Sequence, residues 1–488
     1  RTIEAIRAEA GVPGVALAIV AGDSVVHARG FGVREIGRSA PVGPNTLFAI
    51  GSATKAFTAT LVGTLVDEGR LHWDDRVVDR LPGFSLKDPA MTADITVRDL
   101  LAHRSGLPTA NLMWLTRETD PDTLLHRLRD LEPIAGFRAA FTYQNLLYLA
   151  AGRIAERIGG KSWDRLLTDR LLGPLGMERT GAKLGFLDER DDVATPHVLV
   201  GDAATPVPHR QLDHVGPAGS IVSTAADLAR WLRFLIGGGA GDGEALIEPT
   251  TLSETVTPQM LVPADPVMQA FHPAARVQAY GMGWFITDFH GRTLLAHGGG
   301  IDGMSALVAW IPEEELGVAL LTNLQPPAAP TWIFGMLYGV LDPVLGVEPT
   351  DWRTPAGSLD AMFAELRGGG ESPARTPGTS PSLPAAEYAG TYASSTLGQA
   401  RILAGATSGD SSGSGSGDDR LRFEFGTLAG DLEHWHHDTF RVRWEDVALR
   451  AAAGDGWITF DLARAGDVEA LELEAIPGET ERLERRGE

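Results

Sequence analysis

The chain has 488 residues, with 42 Lys and Arg set against 64 Asp and Glu, and its formal net charge is −22 at pH 7. A charge of that sign repels phosphate groups, so it disfavours binding to nucleic acid and to anionic membrane surfaces. Hydrophobic residues make up 43% and charged residues 22%, which is the usage of a globular protein, and the length predicts two or three domains. The absence of cysteine excludes disulfides, thiolate metal sites and a cysteine nucleophile.

No stretch reaches 18 apolar residues, so we expect no helix that spans a membrane. The chain begins at Arg1 with an amphipathic segment and not with a signal-peptide pattern. It does not begin with Met, so the sequence leaves both a cytoplasmic protein and one exported after loss of an N-terminal segment open. No motif calls for a cofactor or a metal, and we expect none. The oligomeric state is undecided, with a homo-oligomer as one alternative.

Apolar segments at both ends of the first part of the chain predict strands. Residues 15–20 and 25–29 form a hairpin, and residues 304–311 and 317–321 are two further strands. Residues 332–341 then follow with a helical pattern. Because mostly helical segments lie between these strands, we expect one antiparallel sheet closed by the two ends of this part, with a helical insertion packed on it.

One change of composition divides the chain. Residues 366–383 are rich in Gly, Pro, Ser and Thr and have no apolar period, which predicts a linker. We therefore predict a first domain over residues 1–365 and a second over residues 384–488. Short alternating runs in the second domain, such as 421–425, are typical of strands in a small antiparallel sheet or barrel. Its low-complexity tract, residues 408–419, predicts a flexible loop between two strands.

The first candidate for chemistry is Ser52-Ala53-Thr54-Lys55, at the start of a helix that the apolar spacing predicts up to Gly69. Three residues apart on a helix, Ser52 and Lys55 share one face. A neutral amine can remove the proton of an alcohol, and desolvation together with a helix N-terminus lowers the lysine pKa that this requires. The alternative is a capping serine followed by a solvated lysine. Lysine is rare here, with four in the chain, and its neighbours are apolar, which favours catalysis.

The second candidate is Tyr143-Gln144-Asn145, directly before an apolar helical segment over residues 146–158. A tyrosine phenol can relay a proton between a nucleophile and a leaving group, and an asparagine amide can fix a substrate carbonyl. The structural alternative is a tyrosine packed at the entrance of the helix and an asparagine cap.

The third candidate is His297-Gly298-Gly299-Gly300, which follows a predicted strand over residues 293–296. Glycines there allow a substrate backbone to lie close against the strand edge, and a backbone N–H group can point into an oxyanion hole. The structural alternative is a glycine-rich turn between strands with a packing or surface histidine.

In their order and spacing, the three motifs resemble the serine penicillin-recognising family, which includes class C β-lactamases, D,D-peptidases, esterases and D-aminopeptidases. The family carries Ser-x-x-Lys, then Tyr-x-Asn, then Lys or His-x-Gly. Residues 100–107, 217–229 and 280–284 resemble it as well, so the resemblance covers about residues 1–345. It implies a β-lactamase/D,D-peptidase-like α/β sandwich, with a five-stranded antiparallel sheet and a helical subdomain.

The resemblance also implies the role of each residue. Ser52 is the nucleophile that forms an acyl-enzyme, Lys55 is the general base, and Tyr143 assists proton transfer to the leaving group. The backbone N–H groups of Ser52 and Gly300 form the oxyanion hole, and Asn145 orients the substrate.

His297 departs from the β-lactamases and transpeptidases, which carry a lysine there to bind the substrate carboxylate. A histidine, mostly neutral at pH 7, recognises that charge more weakly, and esterases and D-aminopeptidases of the family commonly have it. We therefore hypothesise an esterase, amidase or aminopeptidase that acts on a small ester, amide or short peptide and has weak or no β-lactamase activity. The alternatives are a β-lactamase or D,D-carboxypeptidase, and a non-catalytic penicillin-recognising receptor.

In the second domain, residues 387–392 and 432–440 resemble the lipocalin-like barrel attached to many such hydrolases. Such a barrel can place a loop over the active site and restrict substrates; a stabilising or dimer-forming module is the alternative. His434, His436 and His437 lack the carboxylate spacing of a metal site, and we expect no metal there.

Overall fold

The computed structural model describes residues 1–116, 119–241, 243–263, 269, 275, 277–326, 331–348, 350–354, 357–359, 374–405 and 420–487. The predicted loop 408–419 and residues 366–373 of the predicted linker lie outside the described residues. The chain divides into two compact units, Arg1–Thr109 with Leu131–Phe363, and Ala110–Asp130 with Ala364–Glu488. Within the described ranges, no helix has the length and apolar character needed to cross a membrane.

The strands of the first unit belong to one large antiparallel sheet and two small pairs, β3–β6 and β4–β5. Their bounds are β1 Gly14–Ala21, β2 Ser24–Gly32, β3 Phe48–Ala49, β4 His197–Val200, β5 Ala203–Pro206, β6 Val222–Ser223, β7 Met260–Val262, β8 Gln278–Tyr280, β9 Phe285–Phe289, β10 Arg292–Ile301, β11 Met304–Ile311 and β12 Leu316–Thr322.

The large sheet joins the two ends of this unit, as the sequence predicts. Its order is β2-β1-β12-β11-β10-β9-β8-β7, and β1 pairs with β12 in antiparallel register from Val15 with Thr322 to Ala21 with Leu316. The family resemblance implies five strands, whereas the described sheet has eight, because β9, β8 and β7 continue it beyond β10. The β-lactamase-like α/β fold is confirmed.

Some helices of the first unit pack on the faces of the sheet, and others pack on one another. Their bounds are Thr2–Glu9, Thr54–Asp67, Val77–Arg80, Pro89–Asp94, Val97–Leu101, Asn145–Gly159, Trp163–Leu167, Gly216–Gly219, Ala225–Ile236, Pro249–Thr255 and Thr331–Val344, with short 3-10 turns at Gly51–Ala53, Leu184–Leu187, Asp213–Val215 and Pro312–Glu314 and a π turn at Thr168–Leu172.

Burial of both faces explains why β11 and β12 are continuous apolar runs without alternation. On one face, Val15, Leu307 and Val318 join a core with the helices Thr2–Glu9 and Thr331–Val344, the second of which contains the predicted helix 332–341. The helix Ala225–Ile236 lies against β1 and β12. The sheet is therefore the middle layer of three. Residues 297–301 of β10 pair with β11 but not with β9, so this side of the strand is available to the site described below.

The second unit contains a closed antiparallel barrel of eight strands, which confirms the sequence prediction of short alternating strands. Alternate side chains point inward, for example Phe423 and Phe425 on one strand and Phe440 and Val442 on another. The barrel strands are β13 Gly390–Ser394, β14 Gly398–Ala404, β15 Leu421–Phe425, β16 Leu428–His436, β17 Thr439–Trp444, β18 Gly456–Leu462, β19 Val468–Ile476 and β20 Glu479–Arg485, with helices Ala385–Tyr388 and Val447–Ala453.

Residues 110–130 belong to this second unit although they lie far from the barrel in sequence. They form helices Leu112–Leu115 and Pro121–Arg127 and the 3-10 turn Leu128–Asp130. Asn111 donates to the Glu479 carboxylate through its backbone N–H at 3.0 Å and its amide at 2.9 Å. Arg127 donates to the carbonyl of Leu397 at 2.8 Å. Glu479 and Leu397 adjoin the β19–β20 and β13–β14 turns, so the segment lies at the barrel end where these hairpins turn.

Candidate active site

Ser52 lies in the 3-10 turn Gly51–Ala53 that opens directly into the helix Thr54–Asp67, so the predicted helical face is confirmed. Lys55 Nζ lies 3.0 Å from Ser52 Oγ. The lysine is completely buried and also donates to Asn145 Oδ1 at 2.7 Å and to the carbonyl oxygen of Ala218 at 2.8 Å. The solvated-lysine alternative is therefore wrong.

The two carbonyl partners determine how the Lys55 amine is oriented. Burial lowers the pKa of Lys55 well below its usual value, because desolvation penalises the ammonium form. A neutral amine has two N–H groups, and the carbonyls of Asn145 and Ala218 accept both of them. In the neutral form this leaves the lone pair for the third contact of Nζ, with Ser52 Oγ. The arrangement can therefore accept the proton of the serine hydroxyl.

The helix Gly216–Gly219 supplies the Ala218 carbonyl and is fixed to the lysine helix. Thr58 Oγ1 donates to the carbonyl of Pro217 at 2.7 Å, and the N–H of Ile221 donates to Thr54 Oγ1 at 3.2 Å. The sequence indicates the stretch 217–229 only through the family resemblance. The Ala218 carbonyl could not be predicted, because a backbone acceptor leaves no trace in residue type.

Besides Lys55, the side chain of Tyr143 also contacts Ser52. A hydrogen bond with Ser52 favours ionisation of the Tyr143 phenol, but desolvation outweighs it and raises the pKa above its usual value. The phenol is therefore protonated at neutral pH. Lys55 Nζ lies 4.8 Å from the centre of the Tyr143 ring. One proton network thus joins the serine, the lysine and the tyrosine.

Gln144 sets the start of the helix that follows Tyr143. Its side chain accepts from the N–H of Leu146 at 2.8 Å, so Gln144 caps the helix Asn145–Gly159. The Gln144 amide donates to the carbonyl of Pro108 at 2.6 Å. Asn145 is therefore not the cap that the structural alternative supposed, and its side chain is free to hold Lys55.

The glycines after His297 continue strand β10 and do not form a turn. A Cβ at Gly299 would lie 1.8 Å from the carbonyl oxygen of Ile50 and 3.0 Å from the N atom of Ser52. Gly51 has φ +50°, and a Cβ there would meet both the N and O atoms of Gly300. The strand thus lies directly against the turn that carries Ser52, and the backbone of Gly300 lies beside that turn.

His297 is buried and both of its ring nitrogens are bonded within the protein. Nδ1 lies 2.6 Å from the carbonyl oxygen of Gly298, so it must carry the proton and donate. Nε2 is then an acceptor, and the Tyr280 hydroxyl donates to it at 3.0 Å. Burial and the charge of Lys55 lower the pKa of His297 to about 3. The ring is therefore neutral and its nitrogens are not directed at a substrate.

A group of aromatic rings surrounds these residues, and sequence analysis did not assign them a role. Tyr148 donates to the carbonyl of Leu101 at 2.6 Å, and its ring centre lies 5.3 Å from Lys55 Nζ. His103 and Tyr280 stand beside Tyr148 in the same group. Both lie in the stretches 100–107 and 280–284 that carry the family resemblance, which is the signal that indicates them.

No cluster of His, Cys, Asp or Glu suited to hold a metal ion occurs among the residues that the structure describes. In the barrel, His434 Nε2 is bonded to the backbone oxygen of His437 at 2.9 Å.

A Ser–Lys–Tyr group with a buried lysine, between helices and a strand of an antiparallel sheet, defines the class of β-lactamase-like α/β proteins. The chain belongs to the β-lactamase family, whose family model matches residues 1–333. A second family model, described as a domain of unknown function, DUF3471, matches residues 374–485.

Individual relatives agree with this assignment. The chain is 29% identical over 419 residues to the unguisins hydrolase ungD of Aspergillus violaceofuscus (strain CBS 115571), covering 78% of this chain and 72% of the relative. It is 32% identical over 330 residues to penicillin-binding protein 4 of Amycolatopsis lactamdurans, covering 66% of this chain and 83% of the relative. The octameric penicillin-binding protein homologue from Pyrococcus abyssi matches in fold with a TM-score of 0.62 at 24% identity, over 98% of this chain and 97% of that chain.

Proposed function

We propose that this protein is a serine hydrolase of the esterase, amidase or aminopeptidase type, which cleaves an ester or amide through an acyl-enzyme on Ser52. The observation that carries the proposal is the buried Lys55 amine, which lies 3.0 Å from Ser52 Oγ and is bonded to the carbonyls of Asn145 and Ala218, so that its neutral form has its lone pair left for the serine proton. A relative named as a hydrolase supports the reaction class. The barrel in this proposal is a lipocalin-like domain over residues 384–488, joined by the linker 366–383.

In the acylation step, Lys55 takes the proton of the Ser52 hydroxyl while Oγ attacks the carbonyl carbon of the substrate. The negative charge that develops on the carbonyl oxygen accepts hydrogen bonds from the N–H groups of Ser52 and Gly300. Tyr143 passes a proton to the leaving alkoxide or amine as the carbonyl–heteroatom bond breaks, and Lys55 returns its proton to the tyrosine. Water then attacks the acyl-enzyme along the same proton path and regenerates Ser52.

The state of His297 favours substrates without a carboxylate at this position. A lysine there would offer an ammonium group to the carboxylate of a penicillin or a terminal D-amino acid. His297 is neutral, and its nitrogens are bonded to Gly298 and Tyr280. Binding a carboxylate there would cost the protein its internal hydrogen bonds without supplying a charge. A neutral ester, an amide or the N-terminal part of a short peptide fits better.

The test is release of p-nitrophenol from p-nitrophenyl acetate and butyrate by the wild-type protein and by Ser52→Ala. We expect turnover by the wild type and loss of it in the variant, after which D- and L-aminoacyl p-nitroanilides, a lactone and nitrocefin define the substrate. Turnover that survives Ser52→Ala would show that another group is the nucleophile. A wild-type protein that is acylated by penicillin once and does not turn over would favour the receptor alternative.

A further inference from the structure

His103 is a buried side chain next to Tyr143 to which the proposed mechanism assigns no role. It is fully buried, and the centre of its ring lies 4.1 Å from that of Tyr143, with the two planes inclined by 33°. The rings of Tyr148 and Tyr280 lie 5.2 Å and 4.9 Å away. The imidazole therefore forms the wall against which the Tyr143 ring rests.

His103 also holds the backbone on both sides of Tyr143. The N–H of Thr142 donates to the carbonyl oxygen of His103 at 2.8 Å. The N–H of Gln144 donates to His103 Nδ1 at 3.1 Å. A single residue thus fixes the peptide before Tyr143, the peptide after it and the face of its ring.

The hydrogen bond from Gln144 determines the tautomer of His103. Because Nδ1 accepts, the proton of the neutral ring is on Nε2, and Nε2 has no hydrogen-bond partner among the described residues. A second proton on Nδ1 would place an N–H donor of the ring against the N–H donor of Gln144. Burial, followed by the charges of Lys55 and His297, lowers the pKa of His103 well below its usual value. The ring also contacts Phe141 and the phenols of Tyr143, Tyr148 and Tyr280. Burial raises the pKa of each of these phenols, so they are protonated at neutral pH.

The backbone of His103 is held in a conformation that side chains rarely adopt. Its φ is +53°, in the left-handed region. The next residue, Arg104, donates to the buried carboxylate of Asp99 at 2.5 Å. Arg138 binds the same carboxylate at 2.6 Å, and its N–H donates to the carbonyl of Arg104 at 2.8 Å. Asp99 thus joins the segment of His103 to the segment that leads to Tyr143, and a strained backbone persists where surrounding contacts impose it.

We propose that His103 is a positioning residue that, as a neutral imidazole protonated on Nε2, orients the Tyr143 phenol toward Ser52. This inference rests on the proposed function for its effect on rate, since Tyr143 transfers the proton. Its structural part, the protonation state of the ring, is independent of any substrate.

A matched pair of variants distinguishes the effect of losing the hydrogen bond between Gln144 and His103 from the effect of losing the volume of the imidazole ring. His103→Asn keeps an acceptor near the position of Nδ1 and tolerates positive φ, whereas His103→Gly tolerates positive φ and has no acceptor. We expect kcat for p-nitrophenyl butyrate to fall about 100-fold in H103G with KM little changed, since small misplacements of a catalytic group cost that much. In H103N we expect the fall to be within about ten-fold, because the acceptor restores the Gln144 contact.

His197→Ala is the control for loss of a buried imidazole bonded to the backbone. His197 is fully buried, accepts from the N–H of Ile36 at 3.1 Å and lies 2.9 Å from the carbonyl oxygen of Asn323, with no bond to the Tyr143 segment. We expect this variant to unfold at a lower temperature and to keep the wild-type kcat. Equal losses of kcat in H197A and H103G would overturn the positioning role.

The protonation state is read from the imidazole nitrogens by NMR of protein labelled with ¹⁵N-histidine, and the spectrum of H103N assigns the His103 signals. We expect one protonated nitrogen, on Nε2, that does not change between about pH 5 and pH 9. An Nδ1–H tautomer or titration in this range would overturn the inference even for a protein that hydrolyses no ester tested. A wild type without hydrolysis but with this NMR result would count against the proposed function alone. Unchanged kcat in H103G with an active wild type would count against the positioning role alone.

Discussion

At the scale of single residues, the proposed role of Lys55 makes the reaction depend on pH. Burial lowers the pKa of Lys55, and in the proposed mechanism the neutral form accepts the Ser52 proton. The rate should therefore rise with pH as Lys55 loses its proton, and the midpoint of this rise should lie below pH 10.5, the ordinary lysine pKa. Because the unfolded chain binds this proton more tightly, the free energy of unfolding also rises with pH between the folded and unfolded pKa values.

We predict that Lys55→Met lowers kcat/KM by about 10²- to 10⁴-fold, the usual contribution of a general base. The measurement is the pH–rate profile of p-nitrophenyl butyrate hydrolysis for the wild type and the variant, in which the rising limb should disappear. A variant whose pH–rate profile keeps the rising limb of the wild type would show that another group is the general base.

A second prediction at this scale concerns His297. Because burial and Lys55 lower its pKa to about 3, His297 adds no inflection to the profile near pH 6.5. His297→Lys should raise the ratio of kcat/KM for a carboxylate-bearing ester over its methyl ester about ten-fold, since a hydrogen bond to a charged group contributes about 1.5–3 kcal/mol. Competition between the two esters measures this ratio. A wild type that already prefers the carboxylate would contradict the assignment.

At the scale of elements, the contact between β10 and the Ser52 turn depends on the absence of a side chain at Gly299. We predict that Gly299→Ala lowers kcat about 10²- to 10³-fold, because its Cβ would collide with the carbonyl of Ile50 and displace the Gly300 N–H from the oxyanion. Gly298→Ala is the matched control, since a Cβ there comes no closer than 3.7 Å to a neighbour. Similar losses in both variants would indicate that the strand tolerates no substitution at all.

The elements also show how far the sequence could predict this site. Ser52 and Lys55 could be paired because helix periodicity places them on one face, and the order of three motifs indicated that Tyr143, Asn145 and His297 meet them. Hydrogen-bond direction could not be predicted. His297 was expected to provide a weak substrate contact, and its bonds to Gly298 and Tyr280 instead point inward. Such bonds depend on tertiary packing, which has no periodicity in the sequence.

At the scale of the whole molecule, the assignment of residues 110–130 to the barrel unit could not be predicted. The sequence of this segment has the polar and apolar mixture of any surface loop. Its partners Glu479 and Leu397 are more than 250 positions away, and single-residue hydrogen bonds at that separation follow no pattern. Short strands of the barrel, such as the one predicted over residues 421–425, could be predicted because their alternation is local.

Because residues 110–130 belong to the same unit as the barrel, we can predict the effect of deleting the barrel. Deletion of residues 374–488 should increase binding of a hydrophobic dye and promote self-association, because apolar side chains of the segment lose their cover. The buried ones are Leu112, Met113, Leu124, Leu125 and Leu128. As the control, the same deletion with residues 110–130 replaced by a short Gly-Ser linker should bind less dye. Equal dye binding by both proteins would place the exposed surface elsewhere.

In the proposed mechanism, Ser52 carries the acyl group. The most direct measurement is intact-mass spectrometry of protein quenched in acid during turnover of p-nitrophenyl butyrate, followed by peptide mapping. We predict one added butyryl group on the peptide that contains Ser52, and none in Ser52→Ala. A butyryl group on any other residue, or steady turnover by Ser52→Ala, would contradict the claim.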